Sequence, residues 1–282
     1  MWRHRFDTIK YMLSYIPVLS IAGSDSSGGA GIQADIKTMS ALGVYAMTAI
    51  TAITVQNTLG VTAVQAIPPD IITGQIDAVF ADIPARAIKI GMLFDAITAA
   101  TVADSLACHR ARNIVLDPVM ISTSGSRLLA ADAIDLIVRR LIPMAEIITP
   151  NAMEAEALTA STDPEVQINR LREMGAQAIL IKGGDSNTAL DTVTDWLFTP
   201  AAGMMSLDSP RIRSVNTHGT GCTLSSAIAS FLAMGYSVVE SVLKAKEYIS
   251  QAIEKGGRVS VGHGHGPVNH FHHPVPLIIN ES

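Results

Sequence analysis

The chain has 282 residues, 48% hydrophobic and 16% charged, with a formal net charge of −5. That balance allows a large core and, with no cluster of Lys and Arg, excludes the electrostatic footprint of a nucleic-acid binder. The mean hydropathy of +0.33 arises without any stretch of about 18 uninterrupted apolar residues, which excludes a membrane span and leaves small molecules as the expected partners.

At the start, Arg3, Arg5 and Lys10 precede an apolar run from Tyr11, in the outline of an export signal. Pro17 interrupts that run, and Val18–Ile21 reads better as the first buried strand. Residues 1–16 are therefore expected to be an extension outside the core, with Met12 as an alternative beginning, and residues 17–282 to form one domain. A helix from about Ala30 to Leu42 and a strand over Ala46–Val55 come next. Helical spacing over Asp70–Phe80 leads to a strand at Ala87–Ile90, and a helix over Asp95–His109 leads to one at Asn113–Leu116. Further on, a helix over Ala131–Leu141 precedes a strand at Glu146–Ile148, and helices over Asn151–Leu158 and Glu165–Met174 precede one at Ala178–Ile181. Val193–Phe198 reads as a late hairpin strand, and helices over Gly221–Met234 and Val238–Glu254 close the chain.

This alternation predicts an α/β fold: a mostly parallel sheet with crossover helices on both faces. Ligands of such sheets bind beyond the carboxyl ends of the strands. Weight therefore falls on Gly23-Ser24-Asp25, Gln56-Asn57, Gly91-Met92, Asp117-Pro118-Val119, Thr149-Pro150-Asn151 and Lys182-Gly183-Gly184. Cys108 and Cys222 stand far apart without a CxxC, which indicates neither a disulfide framework nor a zinc site and fits a reducing cytoplasm.

No GxxxxGK[ST] loop, no GxGxxG after the first strand and no HExxH is present. Instead, Asn216-Thr-His-Gly-Thr-Gly-Cys-Thr223 runs into the helical spacing of Leu224, Ala227, Ile228, Phe231 and Leu232. Glycines there let the loop turn tightly and offer backbone N–H groups at a helix N-terminus, which suits a phosphate. Cys222 falls in the first helical turn, where the helix field lowers a thiol pKa; the alternative is a buried packing cysteine. Gly23-Ser-Asp-Ser-Ser-Gly-Gly-Ala-Gly31 is either a loop over a ligand or a plain turn. Asp117 and Glu154 lie at strand ends, as Mg²⁺-recruiting carboxylates or as helix caps. Lys182 either reaches a nucleotide phosphate or is a surface lysine. The tail histidines His263, His265, His270, His272 and His273 sit among Gly and Pro and read as a loop rather than a metal site.

Taken together, the stretches from Leu19–Asp35 through Thr51-Ala-Ile-Thr-Val-Gln-Asn57, Lys89-Ile-Gly-Met-Leu93, Leu116-Asp-Pro-Val-Met120, Thr149-Pro-Asn-Ala-Met-Glu-Ala155, Lys182-Gly-Gly184 and Thr217–Thr223 to Gly264-His-Gly-Pro-Val-Asn269 resemble the ribokinase-like superfamily. Within it they resemble the hydroxymethylpyrimidine/phosphomethylpyrimidine kinases, in family order across about residues 18 to 273. The resemblance implies a three-layer α/β sandwich. It also implies an ATP- and Mg²⁺-dependent kinase that phosphorylates an aminopyrimidine alcohol and then its monophosphate, cytoplasmic and homodimeric. Carried over residue by residue, Gly23, Asp35, Gln56, Met92 and Val119 line the substrate pocket. Cys222 with Gly219, Thr220 and Gly221 forms the catalytic loop. Lys182 and Thr217 hold nucleotide, and Asp117 and Glu154 place the metal. Gln56 suits its role because one amide offers a donor and an acceptor together, matching an aminopyrimidine edge. A pyridoxal kinase of the same fold is the competing implication. Ser26 stands where many relatives carry Pro, which is expected to loosen the first glycine loop.

Overall fold

The computed structural model describes residues 13–120, 131–184 and 190–281. Strand β1 (Leu13–Tyr15) leads to β2 (Pro17–Ser24), α1 (Gly31–Ala41), β3 (Tyr45–Asn57), β4 (Gly60–Ala66) and α2 (Pro69–Asp82). Next come β5 (Ala87–Ile90), α3 (Ala96–Cys108), β6 (Ile114–Leu116), α4 (Ala131–Leu136), β7 (Ile147–Ile148), α5 (Ala152–Thr159), α6 (Pro164–Glu173) and β8 (Ala178–Ile181). The hairpin β9 (Thr192–Thr199) and β10 (Gly203–Pro210), helices α7 (Thr220–Ala233) and α8 (Val238–Gly256), and β11 (Ile279–Glu281) complete the chain.

Nine strands form one sheet in the order β10-β9-β8-β7-β6-β5-β2-β3-β4. From β8 to β3 every neighbour is parallel, while β4, β9 and β10 add antiparallel edges. The central strands bury both faces because their residues are chiefly apolar, Ser20 on β2 and Lys89 on β5 being buried exceptions. Leu19, Ile21, Ile88, Ile90, Ile148 and Ile179 pack on Ile72 and Ile76 of α2, Val102 and Leu106 of α3, and Ile168 and Leu171 of α6. Val18, Ala87, Val115, Ile147 and Leu180 turn the other way, onto Met39 of α1, Leu224 and Ile228 of α7, and Val242 and Ile249 of α8. Each such Leu or Ile removed from water contributes about 1.5–3 kcal/mol, so both helix layers are held by area rather than by special contacts. No helix among the described residues is long and apolar enough to cross a membrane.

The expected three layers are therefore present, with differences at the margins. The helix expected over Ala131–Leu141 stays α-helical only to Leu136, widens into a π turn at Ile137–Leu141 and tightens into a 3₁₀ turn at Ile142–Met144. Pro143 lacks the N–H that would continue the ladder. Strands β4 and β10 were not expected; both are edge strands, half exposed, with weak apolar alternation. Residues 1–12 of the expected extension lie outside the described residues. Its last residues pair with the other end of the chain, Leu13 opposite Glu281 and Tyr15 opposite Ile279.

Candidate active site

Strand β2 ends at Ser24, and the turn that follows is organised by a buried carboxylate. Asp25 Oδ1 accepts the Ser27 N–H at 2.8 Å and its hydroxyl at 2.7 Å; Oδ2 accepts Gly29 N–H at 3.1 Å and Ala30 N–H at 2.8 Å, and pairs with His218 Nε2 at 2.8 Å. Burial works to raise the Asp25 pKa, but His218 and the loop donors overcome it and hold the carboxyl well below the usual range. The loop bearing His218 is thereby locked to the first glycine loop. Gly219, at φ 80°, closes the gap: a Cβ there would stand 1.8 Å from the Gly29 carbonyl oxygen.

Gln56 sits against the same junction, its Nε2 3.4 Å from His218 Nε2 and its Oε1 3.0 Å from Thr54 Oγ1. Ser26 does not act as a loosening substitution. Its hydroxyl donates to the Gln56 carbonyl at 2.8 Å and accepts the Gln56 N–H at 3.0 Å, tying the loop to β3 as a fixed φ alone would not. Gly23 and Met92 are in contact beside this junction, where a Cβ on Gly23 would meet Met92 Sδ at 2.9 Å. Val119 is half-buried beyond β6.

Helix α7 begins without a side-chain cap. In contrast, Asp95, Asn151, Asp163 and Ser237 cap α3, α5, α6 and α8 with their own oxygens. The first intrahelical bond is Thr223 N–H to Gly219 O at 2.8 Å, so the N–H groups of Gly221 and Cys222 lie at the bare positive end of a 14-residue helix. The Thr220 hydroxyl donates to Thr217 O at 2.7 Å and stiffens the loop.

Lys182 and Asp117 face this helix end. A Cβ on Gly221 would come within 3.4 Å of Lys182 Nζ and 3.5 Å of Asp117 Oδ2, so glycine keeps the approach open. Lys182 Nζ donates to Asp117 Oδ1 at 2.8 Å and lies 4.0 Å from Glu154 Oε2, while Ser225 Oγ donates to Asp117 Oδ2 at 3.2 Å. Burial disfavours the Lys182 ammonium, yet Asp117 and then Glu154 outweigh it and raise its pKa. Glu154 also caps α5: Oε2 accepts Asn151 N–H at 2.8 Å in a reciprocal capping box. Burial pushes its carboxyl up to about 6, with Lys182 opposing and Asp117 adding. The backbone of Lys182 is pinned by Lys182 N–H to Pro150 O at 2.9 Å, and Gly183 N–H donates to Asp195 Oδ1 at 2.7 Å.

Beneath Cys222 lies a second lysine. Lys89 Nζ donates to both oxygens of Asp35, at 2.9 and 2.8 Å, and Ser226 and Ser20 donate to the same two oxygens at 2.7 and 2.6 Å. Both charged side chains are fully buried. Asp35, expected in the substrate pocket, thus has each oxygen already accepting two hydrogen bonds. The thiol also differs from expectation. Burial pushes Cys222 up to about 11 despite the helix field; Lys89 and a Gly31 N–H favour the thiolate, while Asp35 and Asp117 oppose it.

The fold thus brings Cys222, the Gly219–Gly221 loop, Lys182, Asp117 and Glu154 together on one side of the α7 start, and Gln56 to the glycine loop on the other. Sequence reasoning gave weight to the stretches holding Asp25 and His218 but missed their pairing, and it missed the pairing of Lys89 with Asp35. For Lys89 a signal existed: a lysine between Ile88 and Ile90 in a run buried on both faces needs a partner inside. Asp25 and His218 are 193 residues apart and carry no local signal of their pairing.

Bare helix-end donors beside a carboxylate-held lysine suit a phosphoryl group in transfer, and with this sheet they place the chain among ribokinase-like phosphotransferases. A family model described as phosphomethylpyrimidine kinase matches residues 25–269, and the chain belongs to that family. A hydroxymethylpyrimidine/phosphomethylpyrimidine kinase of Rhizobium meliloti is 48% identical over 260 residues, covering 90% of this chain and 96% of that protein. Among solved structures, the phosphomethylpyrimidine kinase of Clostridium difficile 630 is 43% identical with a TM-score of 0.73, over 84% of this chain and 99% of that one. An ADP complex of Bacillus subtilis pyridoxal kinase is 34% identical with a TM-score of 0.82, over 91% and 98%.

Proposed function

We propose that this enzyme transfers the γ-phosphoryl group of ATP to the hydroxymethyl oxygen of 4-amino-5-hydroxymethyl-2-methylpyrimidine, and then phosphorylates the monophosphate to the pyrophosphate ester, in thiamine biosynthesis. The observation that carries this reading is the uncapped start of α7 lying between the Lys182–Asp117 pair and the Gln56–His218 junction. Phosphoryl transfer asks mainly for positioning and for donors aimed at developing charge. The N–H groups of Gly221 and Cys222 supply those donors, Gly219 and Thr220 hold the loop that presents them, and Lys182 and Thr217 hold the nucleotide phosphates.

On the acceptor side, Gln56 pairs with the aminopyrimidine edge while Gly23, Met92 and Val119 form the walls. Asp35, saturated by Lys89, Ser20 and Ser226, shapes that pocket from below. Asp117 and Glu154 are hard oxygen donors beside Lys182 and fit Mg²⁺, which keeps several waters and takes one or two protein carboxylates. When bound, Mg²⁺ neutralises phosphate charge. Cys222 accepts the alcohol proton in the first step. In the second the acceptor is an already ionised phosphate and needs no base. Residues 17–282 act as one kinase domain, and the enzyme works in the cytoplasm as a homodimer.

ADP release with Mg-ATP, measured in parallel on the pyrimidine alcohol, its monophosphate and pyridoxal with products identified by mass, tests this function. Turnover of both pyrimidines is expected; turnover of pyridoxal alone transfers the assignment to the activity named for the B. subtilis structure. Gln56→Leu is expected to weaken pyrimidine binding by about 1–3 kcal/mol, the cost of unpaired polar groups. Sedimentation at working concentration tests the homodimer, which a monomer would refute.

A further inference from the structure

The Lys89–Asp35 pair meets no solvent, yet it lies under the first turn of α7. Residues four apart share a helix face, and α1 and α7 meet along one turn of each. Cys222 stands one turn before Ser226 on α7, and Ser226 Oγ donates to Asp35 Oδ1 at 2.7 Å. Lys89 reaches Asp35 from β5, and Gly91 makes room for it, since a Cβ there would stand 2.6 Å from Lys89 Nζ. Packing does not require a charge at this point. A sealed ion pair pays a desolvation penalty that well-packed apolar residues avoid, so its presence calls for another reason.

We propose that Lys89 is a positioning residue for the first phosphorylation: its ammonium, clamped by Asp35, is the fixed positive charge that makes the Cys222 thiolate attainable. This inference rests on Cys222 being the proton acceptor. Cys222 releases its proton to solvent. The thiolate then takes the hydroxymethyl proton as the new O–P bond forms and the bond to the ADP oxygen breaks. Lys89 keeps its own proton throughout. The charged groups facing the thiol are Lys89 from β5, Asp35 from α1, Asp117 beyond β6 and Lys182 beyond β8. Of these, Lys89 exerts the largest pull toward the thiolate.

The test uses the full chain carrying Cys108→Ser, which leaves Cys222 as the single thiol. Lys89→Gln, Lys89→Arg and the charge-free pair Asp35→Asn/Lys89→Gln are compared, the last guarding against a single variant that fails to fold. Loss of the ammonium is expected to slow alkylation of Cys222 by iodoacetamide on the order of tenfold, because only the thiolate reacts. kcat on the alcohol should fall in step, with KM and turnover of the monophosphate within about threefold. Lys89→Arg should restore the alcohol reaction, and the double variant should lose it less severely than Lys89→Gln. Equal losses on both acceptors with unchanged alkylation would reduce Lys89 to a structural role, and no loss on either acceptor would end the proposal outright. Cys222→Ala separates the two assignments. Full turnover of the alcohol in that variant removes the proton acceptor itself, whereas its loss together with wild-type behaviour of the Lys89 variants overturns the role of Lys89 alone.

Discussion

Lys89 and Asp35 are fully shut off from solvent with both carboxylate oxygens saturated, whereas Lys182 keeps 15% of its side chain exposed and pairs with an Asp117 that faces the bare end of α7. The residue types and bond lengths are alike, and the surroundings differ. A sealed pair has no partner left to gain and can serve only as a fixed charge. On the proposed function, an open pair is a resting arrangement, in which the carboxylate holds the ammonium in place until a phosphate offers a stronger counter-charge. The helix starts differ too: Asn151 caps α5 with its own oxygen, whereas α7, like α1 and α2, begins without a side-chain cap.

The comparison breaks first at the sealed pair. Lys89→Met is expected to destabilise the fold by about 3–5 kcal/mol, because it strands Asp35 in the interior; the urea unfolding midpoint reads this, and an unshifted midpoint would contradict it. Lys182→Met should weigh on activity more than on stability, lowering kcat by roughly 10²–10³ with a smaller midpoint loss than Lys89→Met, since Thr149 and Ser225 still bond the Asp117 it leaves behind. The smallest effect sharpens the open side. Glu154 carries a folded pKa of about 6, above the ordinary 4.5, so the folded state binds its proton more tightly than the unfolded one. Its contribution therefore favours folding at low pH and is lost as pH rises from about 4.5 to about 6, a change on the order of 1–2 kcal/mol. The difference in unfolding free energy between the unaltered chain and Glu154→Gln, followed across that window, measures it; a flat difference would refute the shift.

Much of this was legible in the residues. Runs such as Ala178–Ile181 are short, wholly apolar and bounded by polar turns, so the central strands declare themselves. The Gly-Thr-Gly-Cys stretch announced the start of α7. What escaped was whatever depends on distant partners. Strand β4 fully buries none of its residues and is recognisable only by its register with β3. The direction of the Cys222 pKa also needed the structure: the helix field is local and predictable, but the burial that outweighs it comes from α1 and β5, far away in sequence. Ser26 teaches the same point, since its partner, Gln56, lies 30 residues on.

The distance between Asp25 and His218 has a bearing on how the protein is made. A nascent chain synthesised through β8 already holds the six central strands and most of their covering helices, yet it lacks His218, the start of α7 and Ser226. Contacts of such long sequence separation are slow to close, and Gly264 must still reach Thr58 Oγ1, 206 residues earlier. Translation therefore delivers the six central strands before the two helices that cover much of one face, and the Asp25–His218 junction closes only with the last third of the chain.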